Sequence, residues 1–329
     1  MVAKREIPPV LEILCENIVK SNNPLALNEK DLSSWAKGLN LPLKGDTLFY
    51  TGGEYQLLPY IDSLVKTITY INPNGNFFSL VMGARKIVNM TGIHAEKIYA
   101  SILAKDKKRY NLINYKAVYI LQKLGYDLCY NGKEEIYSGA LLHELGFWKE
   151  LKSYAPKVAD YVRKTEAKTV VCISPHAAEM FKLILPQITD FPDVKVRTFV
   201  EMVCERKELL PKLNYNKPVV IHDSCRLARE LGIHEEIRQI LDSLGVKYIE
   251  ALRNREWTTC CGGPSKMLFP DISKIVSGRR VTELADTGAD TALISCPYCL
   301  SALESGKHYE SRNIEMEDLI EFIYRGYES

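Results

Sequence analysis

Short apolar runs alternate with helical periodicities along the chain, and the runs end in polar turn residues. "KPVVIHDSC" (217–225) is a β-branched apolar run closing on polar residues, which predicts a strand and then a loop. "DTALISCPYC" (290–299) repeats the design. Helix-like segments follow both, "RLARELGIHEEIRQILDSLG" (226–245) and "LSALESGKHYES" (300–311). Further upstream, "NYKAVYILQKLGYDLCYNG" (114–132) predicts a helix ending at Gly125 and then a strand. "KVADYVRKTEAKTVVCISP" (157–175) predicts helix, turn and strand. "GNFFSLVMGARKIVNMTGI" (75–93) and "DISKIVSGRRVTELADTGAD" (271–290) read as helices, and "MEDLIEFIYRGYES" (316–329) as a short amphipathic one. This rhythm is that of an α/β protein, whose ligand sites lie at the carboxyl ends of its strands.

The polar, proline-broken stretch "CERKELLPKLNYNKP" (204–218) predicts a link between two halves. Residues 1–44 form a helical N-terminal extension, 45–212 a first half and 213–329 a second. Composition changes little in this picture. Charge is nearly balanced at +2, which gives no electrostatic case for nucleic acid. No apolar run has the length of a membrane span, and the N-terminus lacks a secretory pattern. A cytoplasmic protein without direct membrane insertion is expected. The tyrosines and phenylalanines fall in core-like patterns and read as packing.

The nine cysteines do change the picture. Cys15, Cys129, Cys172 and Cys204 are scattered and read as small buried hydrophobes. Cys225, Cys260, Cys261, Cys296 and Cys299 follow the spacing C-x34-CC-x34-CxxC. Cys225 and the Cys296–Cys299 pair stand at the ends of predicted strands, so three cysteine-bearing loops are expected to converge. Neighbouring cysteines strain a mutual disulfide, so the doublet points to one shared target. Structural zinc needs four thiolates and leaves one of the five unused. An iron–sulfur cluster can employ all five. Gly262 and Gly263 let the backbone wrap closely and bring N–H groups to sulfur.

These elements, "HDSC" (222–225), "TCCGGP" (259–264) and "SCPYC" (295–299), resemble the cysteine-rich CCG domain. That domain occurs in heterodisulfide reductase B- and D-type subunits and in iron–sulfur subunits of glycolate and lactate oxidases. "NPLALNEKDLSSWAKGLNLP" (23–42) resembles the segment preceding the first repeat of D-type proteins. The resemblance implies that the five cysteines hold a noncubane [4Fe–4S] cluster, with zinc as the alternative cofactor. It implies an oxidoreductase subunit acting on a small disulfide or sulfur compound. The alternative role is that of an electron-transfer subunit of a flavin-linked 2-hydroxyacid dehydrogenase; a third is a zinc-binding structural subunit. Implied partners are a ferredoxin-type iron–sulfur subunit, heterodisulfide reductase C-like, and a flavoprotein subunit. Cys15 is the single cysteine before Cys129, so cubane clusters of the chain's own are not expected.

The family carries two CCG repeats. Here "DTLFYTGGEYQLLPY" (46–60) aligns with 218–232, placing Gly53 at Cys225. "EIYSGALLHELGF" (135–147) places Tyr137 and Ser138 at the doublet. "TVVCISPHAAEMF" (169–181) places Ser174 and Ala177 at Cys296 and Cys299. The expected fold is therefore two Rossmann-like halves related by a pseudo-twofold repeat, the first without ligands. His176 would then face the live cluster and serve as an acid for a departing thiolate, or else bond a local carbonyl. His222 and Asp223 orient their loop or donate to cluster sulfur. Lys266 reads as a surface lysine.

Overall fold

The structure is a computed structural model that describes residues 7, 9–71, 107–266 and 269–328. The helix expected over 75–93 lies outside the described residues. Strands β1 (Thr47–Tyr50), β2 (Leu128–Cys129), β3 (Thr169–Cys172) and β4 (Lys195–Thr198) form one sheet, ordered β2-β1-β3-β4. Strands β5 (Val219–His222), β6 (Tyr248–Ile249), β7 (Thr291–Ile294) and β8 (Glu315–Asp318) form the second, ordered β6-β5-β7-β8. Every pairing is parallel. The same circuit is thus run twice, as two Rossmann-like halves require. β5 and β7 are buried along their whole length, which is why they read as unbroken apolar runs.

Helices α1 (Pro9–Ser21), α2 (Glu54–Ile71), α3 (Lys107–Lys123), α4 (Trp148–Lys164), α5 (Pro175–Glu179), α6 (Glu235–Leu244), α7 (Pro270–Ala285) and α8 (Pro297–Glu310) pack around the sheets. In the N-terminal stretch α1 leads to a short helix, Glu29–Ser33, capped by the Asn28 side chain. One apolar core runs through both halves, with Phe49 and Val171 in the same cluster as Val220 and Leu293. Polar contacts clamp the halves further. Tyr55 Oη donates to the Asp318 carboxylate across 2.7 Å, and Arg109 pairs with both Glu304 and Glu321.

Two expected elements differ. Residues 226–245 are not one helix. Arg226–Glu230 forms a wide π turn, Gly232 takes a left-handed φ of 67°, and α6 starts only at Glu235. The glycine breaks the periodicity because it alone adopts that backbone without strain. The closing stretch is not wholly helical either. Glu315–Asp318 pairs with β7 as a strand, and the Asp318 side chain then caps a helix over Leu319–Tyr324. Sheet pairing overrides the helical spacing there.

Candidate metal centre

β5 and β7 are neighbours, with His222 paired to Ile294, so the loops after them emerge side by side. Cys225 follows β5 through Asp223 and Ser224. Cys296 immediately precedes α8, and Cys299 lies in its first turn. The doublet arrives on the loop between β6 and α7. Two ties hold it there. Thr258 Oγ1 donates to the Asp223 carbonyl, and the Arg255 N–H donates to the Asp223 carboxylate. Arg238, fully buried, grips that carboxylate with both terminal nitrogens at 2.8 and 2.9 Å and reaches Glu250 as well. A buried bidentate pair of this kind fixes direction as well as position.

The three loops bring the five thiols together in one contiguous chain: Cys225 to Cys260, Cys260 to Cys261, Cys261 to Cys299, and Cys299 to Cys296. All are free thiols. Cys261, Cys296 and Cys299 are buried, Cys225 is half-buried and Cys260 is exposed. Donated hydrogen bonds from Cys225 and Cys261 push the Cys260 thiol well down. Burial opposes ionisation of Cys296, but contacts from Cys299 and His176 outweigh it and hold that thiol far below its ordinary value. Hydrogen bonding to Cys260 pushes Cys225 and Cys261 up, and Cys261 and Cys296 push Cys299 up. The Gly262 and Gly263 N–H groups donate to Cys260 and Cys261 sulfur, each at 3.3 Å. Gly263 has no room for a side chain: a Cβ would sit 2.8 Å from the Tyr298 carbonyl oxygen.

The donor set fits an iron–sulfur cluster. Besides the chain of five sulfurs, buried polar atoms without a partner stand around these loops: His222 Nε2 at the end of β5, Ser224 Oγ, Ser295 Oγ and, from α7, Arg280 Nη2. Buried donors ordinarily find acceptors, and sulfides of a cluster are acceptors. Ring nitrogen and sulfur of His222, Cys261 and Cys299 lie within 4.8 Å of one another. His222 is nevertheless a poor ligand. Arg280 Nε donates to His222 Nδ1 at 3.1 Å, which leaves the ring proton on Nε2. Burial and then Arg280 hold the imidazole well below its usual pKa, so it stays neutral.

His176 lies in the first half, within α5, and reaches the second. Its Nδ1 is 4.0 Å from Cys296 sulfur, its Nε2 is 3.4 Å from Glu144 Oε1, and its ring packs edge-on against Tyr298. Both nitrogens face side chains, and neither bonds the local carbonyl that the sequence left open. Burial opposes its charge, but Cys296, Glu144 and Glu54 outweigh this and raise it to about 9. Lys266 is not a surface lysine: its largely buried ammonium joins Asp62 at 2.8 Å and Ser301 Oγ at 2.7 Å, tying the doublet loop to α2. Cys15, Cys129, Cys172 and Cys204 are buried, as expected of filler.

Sequence reasoning missed Glu54, Glu144, Arg226 and Arg280. Glu54 is fully buried, bonds Ser174 Oγ, and is pushed up by burial to about 7. Arg226, beside Cys225, crosses to Glu179 at 2.7 Å and Glu144 at 3.0 Å in the first half. A signal for Glu54 and Arg226 existed. In the alignment of the halves Glu54 falls on Arg226, an exchange of charge sign next to a ligand position.

Residues 219–304 match the family model described as the cysteine-rich domain CCG. These residues are thus similar to that domain. Over 215 residues the chain is 29% identical to the D-type subunit of the dihydromethanophenazine:CoB–CoM heterodisulfide reductase of Methanosarcina acetivorans, covering 62% of this chain and 52% of that protein. It is 25% identical over 239 residues to the EtfAB:quinone oxidoreductase of Syntrophomonas wolfei, covering 68% and 33%. It is 25% identical to lactate utilization protein A of Halalkalibacterium halodurans, covering 56% and 79%. The chain spans about half the length of the heterodisulfide reductase subunits it matches. Among the described residues no helix is long and apolar enough to cross a membrane.

Proposed function

We propose that the chain is a heterodisulfide reductase-type oxidoreductase subunit whose Cys225, Cys260, Cys261, Cys296 and Cys299 hold one noncubane [4Fe–4S] cluster. The observation that carries this reading is the contiguous chain of five sulfurs drawn from three loops, ringed by buried donors without partners. When bound, the cluster would supply electrons and a surface with affinity for sulfur. The substrate is a small disulfide or related sulfur compound. Reduction of R–S–S–R′ breaks the S–S bond, takes up two electrons and two protons, and releases RSH and R′SH.

The chain's own residues would manage the protons and the geometry. His176 holds a proton between Cys296 and Glu144 and is placed to give it to a departing thiolate. Arg226 orients Glu144, which holds the far nitrogen of the ring. Glu54, titrating near neutrality, is a second proton store on the same side. His222 donates from Nε2 to the cluster region. The electrons come from outside, from a ferredoxin-type iron–sulfur subunit served by a flavoprotein, in a cytoplasmic complex. Exposed Cys260 marks the edge such a subunit would meet.

Residues 213–329 are read as the intact CCG repeat and 45–212 as a repeat that has lost its ligands. The repeated strand order supports this, as do Gly53, Ser174 and Ala177 at the strand ends. Two-cluster cleavage within this chain is then closed off. Similarity to the lactate utilization protein favours a second reading, an electron-transfer subunit of a flavin-linked 2-hydroxyacid dehydrogenase. The test is iron and acid-labile sulfide on protein purified without oxygen, with EPR on the same sample. About four of each per chain, and a signal that shifts with a thiol or disulfide, is the expected result. A signal indifferent to sulfur compounds would move the assignment to electron transfer. Zinc without sulfide would overturn the cluster.

A further inference from the structure

A narrow cavity of about 60 Å³ opens beside the metal centre. At about 10–15 Å³ per water, it has room for roughly five groups of that size. Its walls are aliphatic: Leu14 from α1, Leu25 from the extension, Leu57 from α2 and Leu141 from the helix before α4. One part of its lining is different in kind. There Tyr137, Glu144, His176 and Tyr298 meet the Gly263–Pro264 turn that follows the doublet. His176 in turn touches Cys296. An object held by the leucines can therefore place one end at His176, beside the sulfur ligands.

The charge of the lining selects among sulfur compounds. Lys266 is on the wall, but Asp62 at 2.8 Å and Ser301 already engage it. Glu144 is the carboxylate in the polar part. An anionic chain entering there would meet aliphatic walls and two pairs already made, Lys266 with Asp62 and His176 with Glu144, so its desolvation would go uncompensated. A neutral aliphatic chain loses nothing and exchanges water for leucine.

We infer that this cavity binds a neutral aliphatic thiol or disulfide, with a chain of about four to six carbons lying between α1 and α2 and its sulfur at His176. The identity of the reacting end rests on the function proposed above; the aliphatic slot does not.

The probes are 1-hexanol, 1-hexanethiol and 3-mercaptopropionate, titrated into the full chain purified without oxygen and followed by ligand-observed NMR, with EPR on the same samples. 1-Hexanol and 1-hexanethiol are expected to bind, and affinity to rise about fourfold per methylene from 1-butanol to 1-hexanol. Binding of 3-mercaptopropionate is expected to be at least ~10-fold weaker, as one unpaired charge demands. Leu141→Trp fills the slot and should weaken both hexyl probes at least ~10-fold, with iron content unchanged; Leu14→Phe is the second filling variant. Failure of 1-hexanol to bind, indifference of binding to both variants, or equal binding of 3-mercaptopropionate would each overturn the inference. The two readings separate cleanly. 1-Hexanol bound to a chain holding zinc and no sulfide keeps the slot and removes the redox function. A sulfide-containing chain that ignores 1-hexanol does the reverse.

Discussion

Arg280 Nε donates to His222 Nδ1 across 3.1 Å inside the protein, and this contact settles which nitrogen of the imidazole carries the proton. The proton must lie on Nε2, which is buried and without a partner, in a ring that has a nitrogen within 4.8 Å of the Cys261 and Cys299 sulfurs. His222 is then a neutral donor toward the metal centre. Donation to a sulfide or thiolate stabilises the more negative, reduced state. His222→Phe should therefore shift the midpoint potential negative, on the order of 50 mV for one hydrogen bond to a charged group. His222→Gln, which can still donate, should restore most of the shift. Redox titration followed by EPR reads both. Equal potentials in wild type and His222→Phe would show that the ring only fills space.

The doublet yields a sharper expectation. Cys260 and Cys261 are adjacent links of one sulfur chain, not separate sites. Cys260→Ser or Cys261→Ser should each remove iron and bleach the visible absorbance, even though Cys260 is exposed and Cys261 buried. Iron analysis after anaerobic purification is the measurement. Full iron content in both variants would sink the shared centre.

Gly263 makes a different kind of demand. Its N–H donates to Cys261 sulfur, and a Cβ would stand 2.8 Å from the Tyr298 carbonyl oxygen on the CPYC turn. Neither backbone can yield without moving a ligand loop. Gly263→Ala is expected to cost about 1–3 kcal/mol in urea unfolding and to lower iron retention. Gly288→Ala is a useful contrast. That position has a positive φ of 80°, but a Cβ there meets nothing within 4 Å. It should cost stability through backbone strain while leaving iron untouched.

Much of this arrangement was legible in the sequence, and the rest was not for identifiable reasons. β5 and β7 could be read because buried parallel strands are unbroken apolar runs, and the cysteine loops follow them directly. The repeat was legible because Gly53 and Ser174 keep the places of Cys225 and Cys296 after the same strands. β8 was not, since "EMED" is an edge strand with no apolar run of its own. Partners far apart in the chain were equally hidden. Nothing local ties Arg280 to His222, 58 residues away, or Glu144 to Arg226, 82 residues away. Lys266 looked like a surface residue because its counter-charge, Asp62, comes from α2 in the other half.

That same separation sets the pH response of the fold. Asp318 is fully buried at the junction of the halves, where its carboxylate accepts from Tyr55 Oη at 2.7 Å and from the Ile320 N–H at 2.8 Å. Burial outweighs these bonds and raises it from 3.8 to about 7. Between those values the folded chain holds a proton that the unfolded chain has released. Its contribution to stability is therefore complete below about pH 4 and is lost as pH rises through about 7. Glu135, pushed up by burial to about 7 beside Thr51, acts in the same direction. Stability to urea should fall as pH goes from 5 to 8. Asp318→Asn cannot ionise and can still accept from Tyr55 or Ile320. It should remove a slope on the order of 1 kcal/mol per pH unit from the window between about 5 and 7. Parallel stability–pH curves for wild type and Asp318→Asn would mean that this carboxyl titrates at its ordinary value despite its burial.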